Sequence, residues 1–266
     1  MKIVTILFPV IWLSFLSSEP QFGKEVVPEG TKGGPMVLIP AGDFMMGCAP
    51  NDEECGADEK PYHKVFLDAY YIDKYPVTVA QYSECMAAGK CHEPNIGGNC
   101  NWNVSGRKHH PINCINWDEA TSYCTWAGKR LPTEAEWEKA ARGTDGRIYP
   151  WGNKWDCHKS HNSVSPCKNS STCDVGIYQE GKSPYGVMNM AGNVWNWVSD
   201  WYDKDYYASS SPDNPKGPSS GAIRVQSGGS FMGYKTKLMR IASREGLPQK
   251  MRDVRNGFRC VHQASK

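Results

Sequence analysis

The stretch Tyr123-Cys124-Thr125-Trp126-Ala127-Gly128-Lys129-Arg130-Leu131-Pro132-Thr133-Glu134-Ala135-Glu136-Trp137-Glu138 joins the end of one helix to the start of the next. Upstream of it, Asn116 with Glu119 three residues on forms a capping-box pair, so a helix opens there and buries Ala120, Tyr123, Cys124 and Ala127. Gly128 stops that helix, because glycine takes the left-handed backbone of a helix end without strain. Pro132 and the pair Thr133/Glu136 open the second helix, with Trp137, Ala140 and Ala141 facing inward and Gly143 as its stop. A further helix precedes both, capped by Thr78 with Gln81, burying Tyr82, Cys85 and Met86, and ended by Gly89.

Around these helices the pattern changes to strands and turns. Residues 36–40 and 44–46 read as strands about the turn Ala41-Gly42-Asp43, and residues 64–73 as one long strand rich in aromatic and branched side chains. Beyond Tyr149 helical periodicity is lost, and short apolar pieces alternate with turns such as Pro184-Tyr185-Gly186 and Ser227-Gly228-Gly229-Ser230. Residues 223–226, 239–243 and 257–262 are predicted strands. The fold class expected is α+β, with few helices, short antiparallel strands and much irregular structure. Six tryptophans, Trp126, Trp137, Trp151, Trp195, Trp197 and Trp201, supply the area to organise such a core.

The N-terminus sets the compartment. Lys2 precedes an almost unbroken apolar run over residues 3–16, and Ser17-Ser18 offer the small residues of a signal-peptidase site. Residues 1–18 are therefore expected to be a signal peptide, 19–34 a polar linker and 35–263 the domain of a secreted or periplasmic protein. No later stretch is apolar enough to cross a membrane, so no integral membrane segment is expected after signal cleavage. A formal net charge of +2, from 30 basic and 28 acidic residues, leaves no electrostatic footprint for nucleic acid.

Eleven cysteines in an exported chain read as disulfides, with at least one left over. Local loops suggest Cys48 with Cys55, Cys85 with Cys91 and Cys100 with Cys114, while Cys157, Cys167 and Cys173 compete for one bond. No CxxC motif is present to hold zinc. His158 and His161 beside Cys157 and Cys167 give one reading as a metal cluster; a solvated loop closed by a disulfide is the preferred one. Arg240, Arg244, Arg252, Arg255 and Arg259 form a spaced series, read as planar guanidiniums bridging loop carbonyls and buried carboxylates rather than as a substrate clamp.

The quoted stretch resembles the signature of the formylglycine-generating enzyme (sulfatase-modifying factor) family. So do Tyr149-Pro150-Trp151-Gly152-Asn153, Tyr185-Gly186-Val187-Met188-Asn189-Met190-Ala191-Gly192-Asn193-Val194-Trp195, Gly228-Gly229-Ser230-Phe231 and Asn256-Gly257-Phe258-Arg259, in the family's order. The resemblance implies a compact α+β fold distantly like C-type lectins. It also implies an active-site cleft in which two cysteines after the Gly-Gly-Ser segment bind copper(I), a soft ion selected by thiolates. Here Gly233 stands at the first of those positions and Leu238 about at the second, in a segment some two residues shorter, so no copper is expected. Met232 and Met239 are read as core thioethers. Ser230 matches a cleft serine, but no recognisable base accompanies it, and a hydroxyl capping a turn is the preferred reading.

Three functions follow: an exported binding or scaffold module using the family's cleft, with an unknown small molecule, peptide or protein as ligand; an oxidoreductase or other enzyme of altered chemistry in that cleft; or a genuine formylglycine-generating enzyme, which the cysteine positions disfavour. The resemblance further implies a calcium site on Asn189, Gly192, Val194 and the residue at 196. Asn196 replaces the family's glutamate there, so a weak or structural calcium site is expected. Finally, Cys124 and Cys260 both face the core, and the resemblance implies that they are joined. A second family bridge would fall at Ala141 and Ile241, where both halves are replaced.

Overall fold

Three reciprocal caps start the three helices. In the computed structural model, which describes residues 24–164 and 170–264, α1 (Val79–Ala87) opens with Gln81 N donating to Thr78 Oγ1 at 3.3 Å and Thr78 N to Gln81 Oε1 at 2.8 Å. The same exchange between Asn116 and Glu119 opens α2 (Trp117–Trp126), and between Thr133 and Glu136 it opens α3 (Glu134–Arg142). Each box satisfies two N–H groups that a helix start otherwise leaves unpaired. Gly128, at φ 72°, ends the α2 turn where an added Cβ would lie 2.7 Å from the Gly30 carbonyl oxygen, so no side chain fits.

The strands form three small sheets. β1 (Glu25–Val26), β2 (Met36–Ile39), β5 (Tyr70–Asp73) and β10 (Val261–Gln263) make an antiparallel sheet in the order β1-β2-β5-β10. β3 (Gly42–Met46) and β4 (His63–Leu67) form a two-stranded antiparallel sheet. β8 (Arg244–Pro248), β7 (Ile223–Ser227), β6 (Trp195–Trp201) and β9 (Asn256–Phe258) form the third sheet in that order, with β6 and β9 parallel. One core cluster packs Trp137, Ala140 and Ala141 of α3 on Val37, Ile72, Val198 and Ile241; a second packs Tyr82, Tyr123 and Cys124 on Trp197, Phe258 and Cys260. Ala141 and Ile241, at which the resemblance implied a second bridge with both halves replaced, share one apolar cluster.

Several expectations are corrected. Residues 64–73 are two strands in different sheets, because the Asp68 N–H is taken by Asn214 Oδ1 at 2.9 Å and the chain steps across at Ala69. Residues 257–262 likewise split, since Arg259 turns fully inward and Cys260 N donates to Asp73 Oδ2. Residues 239–243 are no strand: Arg240 is drawn to Asp52 and Glu59, and β8 begins only at Arg244. The expected linker contributes β1, tied by the Glu25–Lys74 ion pair. The expected signal peptide lies outside the described residues.

The largest departure is α3. Its sequence shows one apolar face, yet all nine residues are buried. Its charges are matched one by one: Glu134 by Arg244, Glu136 by Arg130, Glu138 by Arg142 and by Gly47 N, and Lys139 Nζ by the carbonyls of Pro40 and Gly42 at 2.8 Å each. Burial brings Lys139 down to about 8. Such pairing is what permits charge inside a core.

Disulfides join Cys48 to Cys55, Cys85 to Cys91, Cys100 to Cys114 and Cys124 to Cys260. Cys157 is also disulfide-bonded, and Cys173 is a free, buried thiol; Cys167 lies outside the described residues. The Cys124–Cys260 bond spans 136 residues and pins the β9–β10 turn to α2. Cys260→Ser is expected to cost about 2–5 kcal/mol, read as a lower melting temperature; an unchanged melt would contradict the bond. Burial beside Asp174 pushes the Cys173 thiol up to about 12, so it should resist alkylation at pH 8 in the native protein and react after denaturation. Rapid labelling of the native protein at this residue would refute that.

Candidate functional site

Residues 228–240 follow β7 and include Gly233 and Leu238, the two positions at which the resemblance implied cysteines. Gly228 and Gly229 have φ of 98° and 71°, and an added Cβ on Gly228 would fall 2.8 Å from the Trp137 ring. The backbone is tied to two neighbouring segments: Gly192 N donates to Gly228 O, Phe231 N to Asn193 O, and Ser163 N to Gly233 O. Asn193 N in turn donates to His161 O. Three pieces of chain remote in sequence therefore meet at one glycine-rich turn.

Within that turn Ser230 is 1% exposed, and its Oγ accepts from Met232 N at 3.3 Å. The hydroxyl caps a turn, and no base contacts it among the described residues. Gly233 is also buried. A Cβ built on it would lie 1.9 Å from Met239 Cε, and one built on Gly229 would lie 2.4 Å from the same methyl. Met239 is itself fully buried, in a cluster with Tyr149 and Ala191 against which Leu238, Ile148, Trp151 and Trp155 pack. The thioether thus fills the volume into which a side chain at 233 would project. Leu238 adds an aliphatic group at the second position.

The arginine after this segment holds it down. Arg240 donates to Asp52 Oδ2 and, bidentately, to Glu59, each at 2.7 Å. Thr236 Oγ1 reaches Glu54. The loop closed by Cys48–Cys55 is therefore anchored onto residues 236–240. Three other arginines of the series behave alike: Arg244 pairs with Glu134, Arg252 with Glu119 and Arg255 with Asp253. Each serves a carboxylate of the fold.

Among the described residues, none with alternative chemistry approaches. Cys173 N and O are both bonded to the Asn193 amide, which brings its backbone near the turn, but its thiol stays protonated. His161 places Nε2 2.7 Å from the Ser171 carbonyl, so that nitrogen carries the proton, and Nδ1 accepts from Tyr178 OH at 3.1 Å. Burial lowers its pKa, keeping it neutral and fully engaged. Among the described residues, the one group of side chains near enough to share a metal is Cys48, Asp52, Cys55 and Glu59. Its sulfurs are in a disulfide and both its carboxylates are paired with Arg240.

The expected calcium donors lie in residues 189–196. Asn189, at φ 54°, has a buried Oδ1 with no hydrogen-bond partner, the one feature that invites an ion. Asn196 instead turns its Oδ1 to Arg259 Nε at 2.8 Å and donates from Nδ2 to Val194 O at 2.9 Å. The set holds no carboxylate, and the Asn196 oxygen is already taken by Arg259, which does not fit calcium.

Sequence reading placed Met239 in the core, as its burial bears out, but gave no sign that its methyl lies against Gly233, six residues before it. It also missed a separate cavity of about 650 Å³ whose lining includes Trp117, Arg130, Leu131, Glu136, Ser199 and Lys216, and none of residues 228–240.

Comparison with known proteins bears on the family and the fold. Residues 23–264 match the sulfatase-modifying factor enzyme 1-like domain. The chain is 33% identical to the formylglycine-generating enzyme of Streptomyces coelicolor over 302 residues, covering 93% of this chain and 94% of that one, and 32% identical to the mouse enzyme, covering 91% and 80%. Among solved structures, PvdO from Pseudomonas aeruginosa superposes with a TM-score of 0.78 at 22% identity, over 92% of this chain and 100% of that one, a likeness of fold alone. With the motifs, the α+β architecture and the relatives in agreement, the chain belongs to the sulfatase-modifying factor family.

Proposed function

We propose that this protein is an exported, non-oxidase member of its family, a binding or scaffold module that uses the family's cleft without copper-dithiol chemistry. The observation that carries the reading is Met239 Cε, 1.9 Å from where a Gly233 side chain would begin. A site that had merely lost its cysteines would leave a hollow; this one is packed with apolar groups. Neither glycine nor leucine binds copper(I), and the one free thiol among the described residues is protonated by burial.

The same segment offers a contact surface. Met232 and Tyr234 are 46% and 67% exposed, while Tyr149, Trp151 and Trp155 pack together behind Leu238. Exposed aromatic and thioether groups beside a rigid turn suit a small-molecule, peptide or protein ligand. The near-neutral net charge gives no reason to expect nucleic acid.

Two measurements test this reading. Titration of the purified protein with copper(I) should give no thiolate-to-copper charge-transfer absorbance; a stoichiometric band would contradict it. Gly233→Cys should destabilise by about 1 kcal/mol, the low end for overpacking because a methionine side chain can move. Combining it with Met239→Ala should remove that penalty in a double-mutant cycle. Strict additivity of the two changes would mean that Met239 does not fill the place of the side chain at 233.

A further inference from the structure

We infer that the Asn196 amide, oriented by Arg259, takes the place of a metal ion in the loop of residues 189–196, so that protein groups alone hold this loop in its native form. Arg259 is fully buried on the turn between β9 and β10. Its Nε donates to Asn196 Oδ1 at 2.8 Å, and its Nη2 to the carbonyls of Met188 at 2.8 Å and Asn189 at 3.2 Å. A guanidinium has donors only, so the atom of Asn196 that faces it must be the amide oxygen, whichever way the amide is drawn.

That constraint commits the other end of the amide. Asn196 lies in β6 between Ser227 of β7 and Gly257 of β9, so its backbone is fixed and only side-chain torsions remain. With its oxygen on Arg259, its NH₂ points back to Val194 O at 2.9 Å. Val194 O is one of the carbonyls that a cation at this loop would need. It receives an N–H instead, and Asn196 presents that N–H where an ion requires oxygen. Calcium takes six to eight oxygen ligands, normally including carboxylates. This loop offers neutral groups only, beside a full positive charge in a water-poor interior. The unpartnered Asn189 Oδ1 alone supplies one neutral ligand.

Glutamate at 196 would reverse the arrangement. Its carboxylate has acceptors on both oxygens, so one can meet Arg259 while the other faces the loop, and the N–H on Val194 O is gone. The inference therefore makes one residue responsible for calcium independence.

Thermal unfolding and isothermal titration, each with calcium chloride against EGTA, decide it. For the native sequence no calcium-dependent shift and no binding heat are expected. Asn196→Glu should gain a calcium-dependent rise of about 2–4 °C; if that variant does not fold, Asn196→Asp is read in the same way. A calcium-dependent rise in the native protein that Asn189→Ala abolishes would overturn the inference. So would a folded carboxylate variant that gains no response to calcium.

Discussion

A single buried cation, the Arg259 guanidinium, fixes the relation between the sheets and the candidate site. It donates to the carbonyls of Asp73 and Lys74 at the end of β5, to those of Met188 and Asn189 in the loop before β6, and to the Asn196 side chain in β6. No carboxylate among the described residues touches it. Burial lowers its pKa to about 9, partly offset by nearby Asp73, so it remains charged at neutral pH. A buried charge is tolerated only when its donors are satisfied, and here carbonyl dipoles do so. Asp73 extends the linkage through Lys129 Nζ at 2.7 Å and Cys260 N at 2.8 Å. The loop that Arg259 grips is the one whose Gly192 and Asn193 tie down the Gly228-Gly229-Ser230 turn, so the site inherits its shape from this interaction.

On that frame the proposed function sets packing in the place of the family's chemistry. Thiolates need space, an approach for metal and a depressed pKa; the segment after Ser230 provides a glycine, a leucine and a methionine folded into the gap. Arg240 and Thr236 then secure it beneath the disulfide loop of Cys48 and Cys55. The proposed binding role needs no change of backbone, because function resides in side chains placed on a fold.

Much of the architecture was legible because its rules are local. The capping pairs Thr78/Gln81, Asn116/Glu119 and Thr133/Glu136 announce themselves within four residues, and the short cysteine loops are closed by near neighbours. The arginine series reads correctly although most of its partners are remote, because the reading names a kind of partner, carbonyl or carboxylate, and no particular residue. What stayed hidden depends on contacts remote in sequence. Residues 64–73 look like one strand because nothing nearby says that Asn214, 146 residues away, will take the Asp68 N–H. The charged flank of α3 looks solvent-facing because its partners, among them Arg244 and the Pro40 carbonyl, come from other elements. The orientation of the Asn196 amide is set by Arg259, 63 residues on.

The central claim, that this member of the family has exchanged oxidation for binding, meets its most direct test in a single assay. Purified protein, supplied with copper and oxygen, is incubated with a sulfatase-type peptide whose cysteine the family's enzymes convert, and the peptide is weighed by mass spectrometry. The account predicts an unchanged cysteine peptide; conversion of that cysteine to the aldehyde would contradict it.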